Sequence, residues 1–351
     1  MLRPLRVEED QPFEMERAVA YKIAVMGGGS WGTTVASLVS RNADIMLWAR
    51  DAATVDDINS NHKNSRYLGD APLNPKLQAT LDPAEAIVGA DAVVMGIPSN
   101  NFRSVLTNIA PDLPDGAPLI SLTKGLERGS RLRMTEICRE VAPGRPVGVL
   151  TGPNLAREIV AGQAAAGVLA LDDPSPQHWL QPVLNVGLFR VYTNPDHIGC
   201  KLGGVFKNII AIAVGMGDGL GAGDNTRAAL ITRGLAEMTR LGTALGGRAE
   251  TFSGLAGMGD MIATCTSPQS RNRHVGIELA KGRSIEDIIA SMHMVAEGVK
   301  SAPTVMELAA EHGVDMPISS DVFKVVTGAS NARGVYRGLL RTRAAAESEP
   351  G

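Results

Sequence analysis

The stretch YKIAVMGGGSWGTTVASLVS, residues 21–40, decides the fold of this chain. It begins with a short apolar run, and Gly27, Gly29 and Gly32 then fit the spacing G-x-G-x-x-G. The residues after the last glycine have the apolar periodicity of a helix, and a second short apolar run covers residues 44–50. This order of strand, glycine turn, helix and strand predicts the first unit of a doubly wound parallel, Rossmann-like sheet.

Each glycine of this turn has its own physical function in such a unit. Gly27 permits the tight turn, Gly29 lets a cofactor pyrophosphate approach the backbone, and Gly32 lets the helix pack on the strand. The helix N-terminus then offers free N–H groups to the anion. A plain glycine turn without a ligand is the alternative. The position between a strand and a helix favours a dinucleotide cofactor.

The rest of the chain divides into two parts. Further apolar runs end in turn residues at 92–99, 118–125 and 146–153, which is typical of a parallel sheet covered on both faces. After about Tyr192 the strand pattern stops, and the sequence predicts helices separated by glycine clusters. We therefore expect a disordered N-terminal extension at 1–20, a dinucleotide-binding domain at 21–194, an all-helical substrate and catalytic domain at 195–340, and a disordered tail at 341–351.

The composition is that of an ordinary globular protein and argues against several classes of function. The 351 residues are 44% hydrophobic and 20% charged, and the formal net charge is −3, so no strong field would attract nucleic acid or an anionic membrane. The longest apolar run, residues 209–214, is far shorter than the ~20 residues of a transmembrane helix. Three widely spaced cysteines without a C-x-x-C pair indicate a reduced, cytoplasmic interior and no metal site.

The second predicted strand ends in Arg50, which is followed by Asp51. Proteins specific for NAD usually place an acidic residue there for the ribose 2′-hydroxyl, whereas an arginine can face the 2′-phosphate of NADP. Asp51 could still reach the ribose, so the choice between NAD and NADP stays open, with some preference for NADP. An exposed charged pair in a loop is the alternative.

Two lysines are candidate site residues, although a lysine at the end of a strand, such as Lys124, is often only solvated. Lys124 follows one predicted strand, and the turn with Gly152 and Asn154 follows another; ligands of such sheets gather outside the carboxyl ends of the strands. Lys207, with Asn208 beside it, lies in a segment of almost only apolar residues and glycine. Burial disfavours a charged amine, which makes Lys207 a candidate acid–base group. The alternative is a lysine that reaches from an apolar helix to water.

A further cluster comprises Asp260 and the run Ser270, Arg271 and Asn272, which precedes a helical segment through Ala280. N–H donors at a helix start, a guanidinium and an amide suit a phosphate group, so we expect a phosphorylated small-molecule substrate. Asp260 could accept from a ligand hydroxyl or orient a lysine. In the purely structural alternative, Ser270 is an N-cap and Arg271 a surface charge.

The stretch VGMGDGLGAGDNTRAALITRG, residues 214–234, is rich in glycine in its first half. It predicts that the helix carrying Lys207 ends in a small, flexible connection, which lets the following segment pack closely beside the site. The second half predicts the next helix. Its Arg227 and Arg233 form either structural ion pairs or subunit contacts, and the sequence does not choose between them.

Together these segments resemble bacterial NAD(P)-dependent sn-glycerol-3-phosphate dehydrogenases, from about Tyr21 to Leu340. The matching stretches are GGGSWGT, WAR, TKGL, TGPNLARE, YTNPDHIGCKLGGVFKNIIAIAVGMGDG, NTRAALITRGLAEMTRLG, LAGMGDMIATCTSPQSRNRHVG and VAEGVKSAPTVMELA. The resemblance implies reversible hydride transfer between NAD(P)H and dihydroxyacetone phosphate, which gives sn-glycerol 3-phosphate for phospholipid synthesis. It implies a cytoplasmic enzyme, and a homodimer is compatible with it.

The resemblance also implies roles for individual residues. Lys207 is the proton acceptor, and so the general acid–base group. We expect from its charge that Lys124 stabilises the oxyanion, and we count Asp260 with these two lysines as a catalytic residue. The expected substrate contacts are Lys124, Gly152, Asn154, Lys207, Asn208, Asp260, Ser270, Arg271 and Asn272. The expected cofactor contacts are Gly27, Gly29, Ser30, Trp31, Gly32, Arg50, Lys124, Ala156, Arg271, Val295 and Glu297. The chain departs from the family pattern at Asn154, where a small hydroxyl residue is usual, and at Leu155.

Two other functions fit parts of the sequence. A related two-domain dehydrogenase that acts on a hydroxy acid would need a clamp for a carboxylate, whereas the helix start at Ser270 suits a phosphate. A redox-sensing module that only binds the cofactor would need no base such as Lys207. Turnover of the different substrate classes separates these functions.

Overall fold

The computed structural model of the protein describes residues 21–292 and 296–339, with only the backbone for 337–339. The predicted extension at 1–20, the predicted tail at 341–351 and the predicted cofactor contact Val295 lie outside the described residues. Within the described part, a sheet with its helices comes first and a group of helices follows.

The sheet has eight strands, which follow one another in space as β3-β2-β1-β4-β5-β6-β7-β8. Their bounds are β1 Lys22–Met26, β2 Asp44–Trp48, β3 Gln78–Thr80, β4 Ala92–Met95, β5 Leu119–Ser121, β6 Val147–Thr151, β7 Ala165–Leu171 and β8 Phe189–Thr193. All neighbouring pairs are parallel except β6 and β7, which are antiparallel. The chain winds outward from β1 in one direction and from β4 in the other, which confirms the predicted doubly wound sheet.

The apolar runs of the sequence miss β3, β7 and β8. β3 is only three residues long, and the edge strand β8 exposes alternate side chains. β7 is a continuous apolar run, which periodicity alone does not distinguish from a buried helix. The antiparallel pairing of β6 with β7 corrects the expectation that the whole sheet is parallel.

Helices cover both faces of the sheet. Along β1, Ile23 and Val25 belong to one buried apolar cluster, whereas Ala24 and Met26 belong to another, because successive side chains of a strand point to opposite faces. The helices of this half are α1 Ser30–Val39, α2 Ala52–Asn61, α3 Ser65–Leu68, α4 Pro83–Ile87, α5 Ser99–Ile109, α6 Met134–Val141, α7 Ala156–Val160 and α8 Gln177–Leu184.

The second half is helical, as predicted, and is built around one long helix. Its helices are α9 His197–Gly219, α10 Asp224–Ala244, α11 Ala249–Phe252, α12 Asp260–Thr266, α13 Arg271–Ala280, α14 Ile285–Ala290, α15 Glu297–Glu311, α16 Pro317–Val326 and α17 Ala332–Leu339. A π-helical turn, Leu255–Gly259, precedes α12. The central helix α9 contacts α10, α12, α13, α15 and α16.

The helix α9 is long and apolar enough, by length and composition, to cross a membrane. Within the protein, however, 94% of its 18-residue apolar window is buried. Other helices of the same half surround it, so its apolar surface is covered by the protein itself. The length of α9 is therefore that of a core helix.

Gly215, Gly217 and Gly219 lie inside α9, so the connection after this helix is shorter than predicted: it covers residues 220–223, with Gly221 at a φ of +83° and Gly223 as the N-cap of α10. A Cβ atom on Gly215 would lie 2.0 Å from the carbonyl oxygen of Arg273, and one on Gly219 would lie 2.6 Å from the Cβ of Ala280. These glycines therefore let α13 approach the backbone of α9. Helix α10 begins only after Gly223.

Candidate active site

A cavity of about 530 Å³ has residues of both halves of the protein on its wall. Among the residues predicted from the sequence, its wall includes Gly27, Gly29, Ser30, Trp31, Gly32, Arg50, Lys124, Asn154, Lys207, Asn208, Ser270, Arg271, Asn272 and Glu297. Of the predicted residues that the structure describes, Gly152, Ala156 and Asp260 are not on this wall. The fold thus brings the glycine turn, both lysines and the predicted phosphate cluster to one cavity.

The glycine turn connects β1 to α1 through a backbone that other residues would not adopt easily. Gly27 has a φ of +124°, and a Cβ atom there would lie 2.6 Å from the carbonyl oxygen of Gly96. A Cβ on Gly32 would lie 2.1 Å from the carbonyl oxygen of Gly27. At Gly29, by contrast, none of the described residues has an atom within 4 Å of a built Cβ. The turn is therefore tight at its two ends and open at the position that faces the helix N-terminus.

The residues around this turn fit a dinucleotide. Within the described part of the chain, no side chain caps α1, and its first turn has no acidic residue, so its N–H groups can bind an anion. Among the described residues, the buried Nε1 of Trp31 and both side-chain amide atoms of Asn154 lack a hydrogen-bond partner. All three atoms belong to residues on the cavity wall. Buried polar atoms are nearly always paired, so these atoms indicate a site for a polar ligand.

Cationic side chains lie where β2 leads into α2. Arg50 is exposed on the cavity wall, which Arg66 and Tyr67 also line. The carboxylate of Asp51 caps α2 through Thr54, accepting from its N at 3.2 Å and its Oγ1 at 2.6 Å. The same oxygen of Asp51 lies 3.4 Å from Nη1 of Arg66. Because Asp51 already has these partners, its surroundings favour the structural function of this carboxylate.

Two lysines share one buried carboxylate at the centre of the site. Nζ of Lys207, on α9, donates to Oδ1 of Asp260 at 2.5 Å and also to Oγ1 of Thr264. Nζ of Lys124, which follows β5, donates to Oδ2 of Asp260 at 2.7 Å and to the carbonyl oxygen of Gly152 at 2.9 Å. The two ammonium groups are thereby held side by side, although they come from different halves of the chain.

The surroundings of Lys207 favour loss of its proton. The side chain is only 6% exposed, and this burial lowers its pKa to about 8, even though Asp260 acts in the opposite direction. The charge of Lys124 contributes to this lowering. A lysine whose pKa lies this close to neutrality can both release and accept a proton under ordinary conditions.

The predicted phosphate cluster lies at the start of α13. Ser270 is the N-cap of this helix, and its Oγ accepts from the N–H of Arg273 at 3.2 Å. Arg271 is exposed on the cavity wall. Asn272 donates to Oδ1 of Asn208 at 2.9 Å, which ties α13 to α9. Ser270 is therefore an N-cap, as in the structural alternative, and its Oγ acts there as an acceptor. Its hydroxyl hydrogen can still donate a hydrogen bond.

The remaining predicted residues have structural contacts near the cavity. The carbonyl oxygen of Ala156, at the start of α7, accepts from Oγ1 of Thr34 on α1 at 3.4 Å. Oε2 of Glu297, at the start of α15, accepts from Oγ of Ser99 at 2.8 Å. This last hydrogen bond joins the sheet half to the helical half at the edge of the cavity.

Sequence reasoning missed several residues of the site. Thr264 holds Lys207, and its position four residues after Asp260 on a helix was a signal, because such residues share one face. Ser99, Arg66 and Tyr67 follow no motif. Only the three-dimensional arrangement brings Arg66 and Tyr67 to the cavity wall and Ser99 to Glu297 on that wall.

Comparison with known proteins identifies the family of this chain. The profile described as NAD-dependent glycerol-3-phosphate dehydrogenase N-terminus matches residues 22–176, and the profile for the C-terminus of the same enzymes matches residues 196–337. Together the two profiles cover nearly all of the residues that the structure describes.

Individual relatives agree with the profiles. A protein of Sphingopyxis alaskensis, named glycerol-3-phosphate dehydrogenase, NAD(P)+, 2, is 64% identical over 330 residues, which cover 94% of this chain and 99% of the relative. A glycerol-3-phosphate dehydrogenase, NAD(P)+, of Mycobacterium avium is 53% identical over 91% of this chain and 94% of its own length. The crystal structure of glycerol-3-phosphate dehydrogenase from Coxiella burnetii matches with a TM-score of 0.87 and 36% identity, over 92% of this chain and 99% of that one. The chain therefore belongs to the NAD-dependent glycerol-3-phosphate dehydrogenase family.

Proposed function

We propose that this protein is an NAD(P)-dependent glycerol-3-phosphate dehydrogenase, which interconverts dihydroxyacetone phosphate and sn-glycerol 3-phosphate. The observation that carries this proposal is one cavity whose wall includes the glycine turn, both lysines and the N-terminus of α13. The names of the family profiles and of the similar proteins support the same reaction. A product of this kind would serve phospholipid synthesis.

Residues of the sheet half would hold the cofactor. The open position at Gly29 and the free N–H groups at the start of α1 suit its pyrophosphate. Arg50 suits the adenosine end of either cofactor and the 2′-phosphate of NADP. When bound, the nicotinamide supplies the hydride equivalent that reduces the carbonyl carbon of the substrate.

Lys207 would move the proton that accompanies the reduction. A lysine ammonium has three N–H donors, and Asp260 and Thr264 occupy two of those of Lys207. The remaining donor can give its proton to the carbonyl oxygen as negative charge builds on it. The neutral amine that results is favoured by burial and by the charge of Lys124. In the oxidation direction the same amine accepts the proton of the hydroxyl.

Lys124 would stay charged and stabilise the oxyanion. Its ammonium gives one N–H to Asp260 and one to the carbonyl oxygen of Gly152, so one donor remains for the substrate oxygen. The side chain is 18% exposed, whereas that of Lys207 is 6% exposed. A cation held rigidly beside the developing charge lowers the barrier without reorganising during the reaction.

The start of α13 would bind the phosphate group of the substrate. Arg271 offers a charged planar fork, and the N-terminus of α13 favours an anion through the helix dipole. The unpaired amide of Asn154 is on the same cavity wall and can donate to a substrate oxygen. A hydrogen bond joins Asn272 to Asn208. This pair would hold the part of the cavity wall that lies between the phosphate and Lys207.

The direct test is the loss of NADPH or NADH absorbance when dihydroxyacetone phosphate is added to the purified protein. Pyruvate and other 2-oxo acids, which carry a carboxylate and no phosphate, are the matched comparison. Faster turnover of the oxo acids would favour a hydroxy-acid dehydrogenase, and cofactor binding without any turnover would favour a sensor. Sedimentation of the purified protein checks the proposed homodimer, and a cytoplasmic location stays a prediction.

A further inference from the structure

A second lysine of α9, Lys201, is buried more deeply than Lys207. It is only 1% exposed and is one of the largest fully buried side chains. None of the ion pairs among residues 21–292 and 296–339 includes it. A buried amine without a carboxylate partner is unfavourable for folding. A function other than stability would explain why a lysine occupies this position.

The contacts of Lys201 are with the segment that follows β5. Its Nζ donates to Oγ of Ser121 at 3.1 Å and to the carbonyl oxygen of Thr123. Oγ of Ser121 also accepts from the N–H of Thr123 at 3.2 Å, and Oγ1 of Thr123 donates to the carbonyl oxygen of Ile97 at 2.5 Å. These bonds hold Thr123 in place through its carbonyl oxygen, its N–H and its side-chain hydroxyl. Thr123 is the residue immediately before Lys124.

The next turn of α9 contacts Lys124 itself. A Cβ atom on Gly204, three residues after Lys201, would lie 3.2 Å from Cγ of Lys124 and 3.5 Å from Cδ. Residues three apart lie on one face of a helix. One face of α9 therefore holds the backbone before Lys124 through Lys201 and lies against the aliphatic chain of Lys124 at Gly204.

We propose that Lys201 is a positioning residue, which fixes the carbonyl of Thr123 and thereby the place from which Lys124 reaches Asp260 and Gly152. This role rests on the function proposed above for Lys124. Lys201 is not on the cavity wall and does not touch a substrate. Its effect on the reaction passes through the backbone of Thr123, whose position sets the origin of the Lys124 side chain.

The charge state of Lys201 does not decide this role. Burial lowers its pKa to about 7; the charges of Lys124 and Arg133 act in the same direction, and Glu297 acts in the opposite direction. Both the ammonium and the neutral amine carry at least two N–H donors. Lys201 can therefore hold Ser121 and Thr123 in either state, and the test addresses its hydrogen bonds.

The experiment compares Lys201→Met with Lys201→Gln. Methionine keeps the length and apolar chain but removes the donors, whereas glutamine keeps two N–H donors and no charge. We expect Lys201→Met to lower kcat/KM for dihydroxyacetone phosphate roughly tenfold to hundredfold, since small displacements of a catalytic group have effects of that size. The affinity for NADPH, measured by fluorescence, should change less than about twofold, and Lys201→Gln should recover much of the lost turnover.

A matched variant separates positioning from loss of stability. Glu237, on α10, is also 1% exposed and accepts from the backbone N–H groups of Ile318 and Ser319, away from the cavity wall. Glu237→Gln should lower the melting temperature and leave kcat/KM of the folded enzyme unchanged. If Lys201→Met lowers the melting temperature and leaves kcat/KM unchanged in the same way, Lys201 is only structural.

Crystal structures of the variants decide the question independently of turnover. In Lys201→Met we expect Nζ of Lys124 to leave hydrogen-bond distance of Oδ2 of Asp260, which is 2.7 Å in the present structure. An unchanged contact between Lys124 and Asp260 overturns the positioning role. A wild-type protein without turnover on dihydroxyacetone phosphate rejects the proposed function instead, and the displacement of Lys124 still decides what Lys201 does.

Discussion

Nζ of Lys207 donates to Oδ1 of Asp260 at 2.5 Å, and both side chains are buried. The other oxygen of the same carboxylate accepts from Lys124. Two ammonium groups on one buried carboxylate leave an excess positive charge, which is relieved when one amine is neutral. The more deeply buried of the two, Lys207, is the one expected to exchange its proton.

Replacement of Lys207 by alanine should lower kcat by ~10²- to 10⁴-fold, the usual contribution of a general acid–base group. Cofactor binding should survive, because the glycine turn lies in the other half of the protein. The measurement pairs turnover of dihydroxyacetone phosphate with NADPH affinity by fluorescence. The control is Lys281→Ala, since this side chain is 59% exposed and pairs with Glu278. A Lys207→Ala enzyme with near-normal kcat removes this lysine from the mechanism.

The two directions of the reaction should depend on pH in opposite ways. Reduction needs the Lys207 ammonium, so its rate should fall as pH rises through the pKa of about 8. Oxidation needs the neutral amine, so its rate should rise over the same range. Asp260 raises the pKa of Lys207; Asp260→Asn should therefore move both midpoints to lower pH. Midpoints that stay in place would assign the titration to another group.

Arg50 should distinguish the two cofactors. If its guanidinium faces the 2′-phosphate, Arg50→Ala weakens NADPH binding more than NADH binding, because a charge-assisted contact is lost with NADPH alone. Dissociation constants for both cofactors measure the difference. Arg128, which is exposed and not on the cavity wall, gives the control variant Arg128→Ala. Equal losses for NADPH and NADH would contradict a role in 2′-phosphate binding.

Arg271 should act through the phosphate of the substrate. Arg271→Lys keeps the charge but loses the planar fork, so KM for dihydroxyacetone phosphate should rise clearly. Dihydroxyacetone, which has no phosphate, provides the internal control, and its slow turnover should hardly change. If both substrates lose equally, Arg271 serves the reaction centre or the fold and not the phosphate.

The sequence predicts the centre of the sheet and the main groups of the site for clear physical reasons. β4, and β1 after its first residue Lys22, are fully buried and appear as apolar runs. The G-x-G-x-x-G spacing shows where the backbone has no room for a side chain, at Gly27 and Gly32. Lys207 stands out because a charge among apolar residues is unusual. Such features are local, and a single segment is enough to recognise them.

Other features depend on contacts between distant segments and leave no local pattern. The antiparallel β7 and the edge strand β8 are set by where the chain returns to the sheet. Lys124 and Lys207 both form ion pairs with Asp260, and these contacts need three separate segments of the chain to meet. The glycines of α9 look like a helix end in the sequence, whereas in the structure Gly215 gives room to the backbone of Arg273 on α13.

Asp218, on the glycine-rich turn of α9, should be important for stability. Its Oδ1 accepts from Nη2 of Arg227 at 2.9 Å, and its Oδ2 accepts from Nε of Arg273 at 2.7 Å, so one carboxylate joins α9 to α10 and α13. The carboxylate is only 9% exposed. Asp218→Asn keeps the shape but loses the charge, which leaves two partly buried guanidinium groups without their common partner.

We expect this change to lower the free energy of unfolding by about 1.5–3 kcal/mol, the range for hydrogen bonds to charged groups. Urea unfolding measures the difference, and kcat per folded molecule should stay the same because Asp218 is not on the cavity wall. The control is Asp224→Asn, which also removes a carboxylate that pairs with Arg227. Because Asp224 is 92% exposed, its loss should cost less than about 1 kcal/mol. Equal effects of the two changes would mean that the ion pair of Arg227 with Asp218 is no stronger than a surface contact. The packing of α13 against the glycines of α9 would then hold these helices together without the contribution of Asp218.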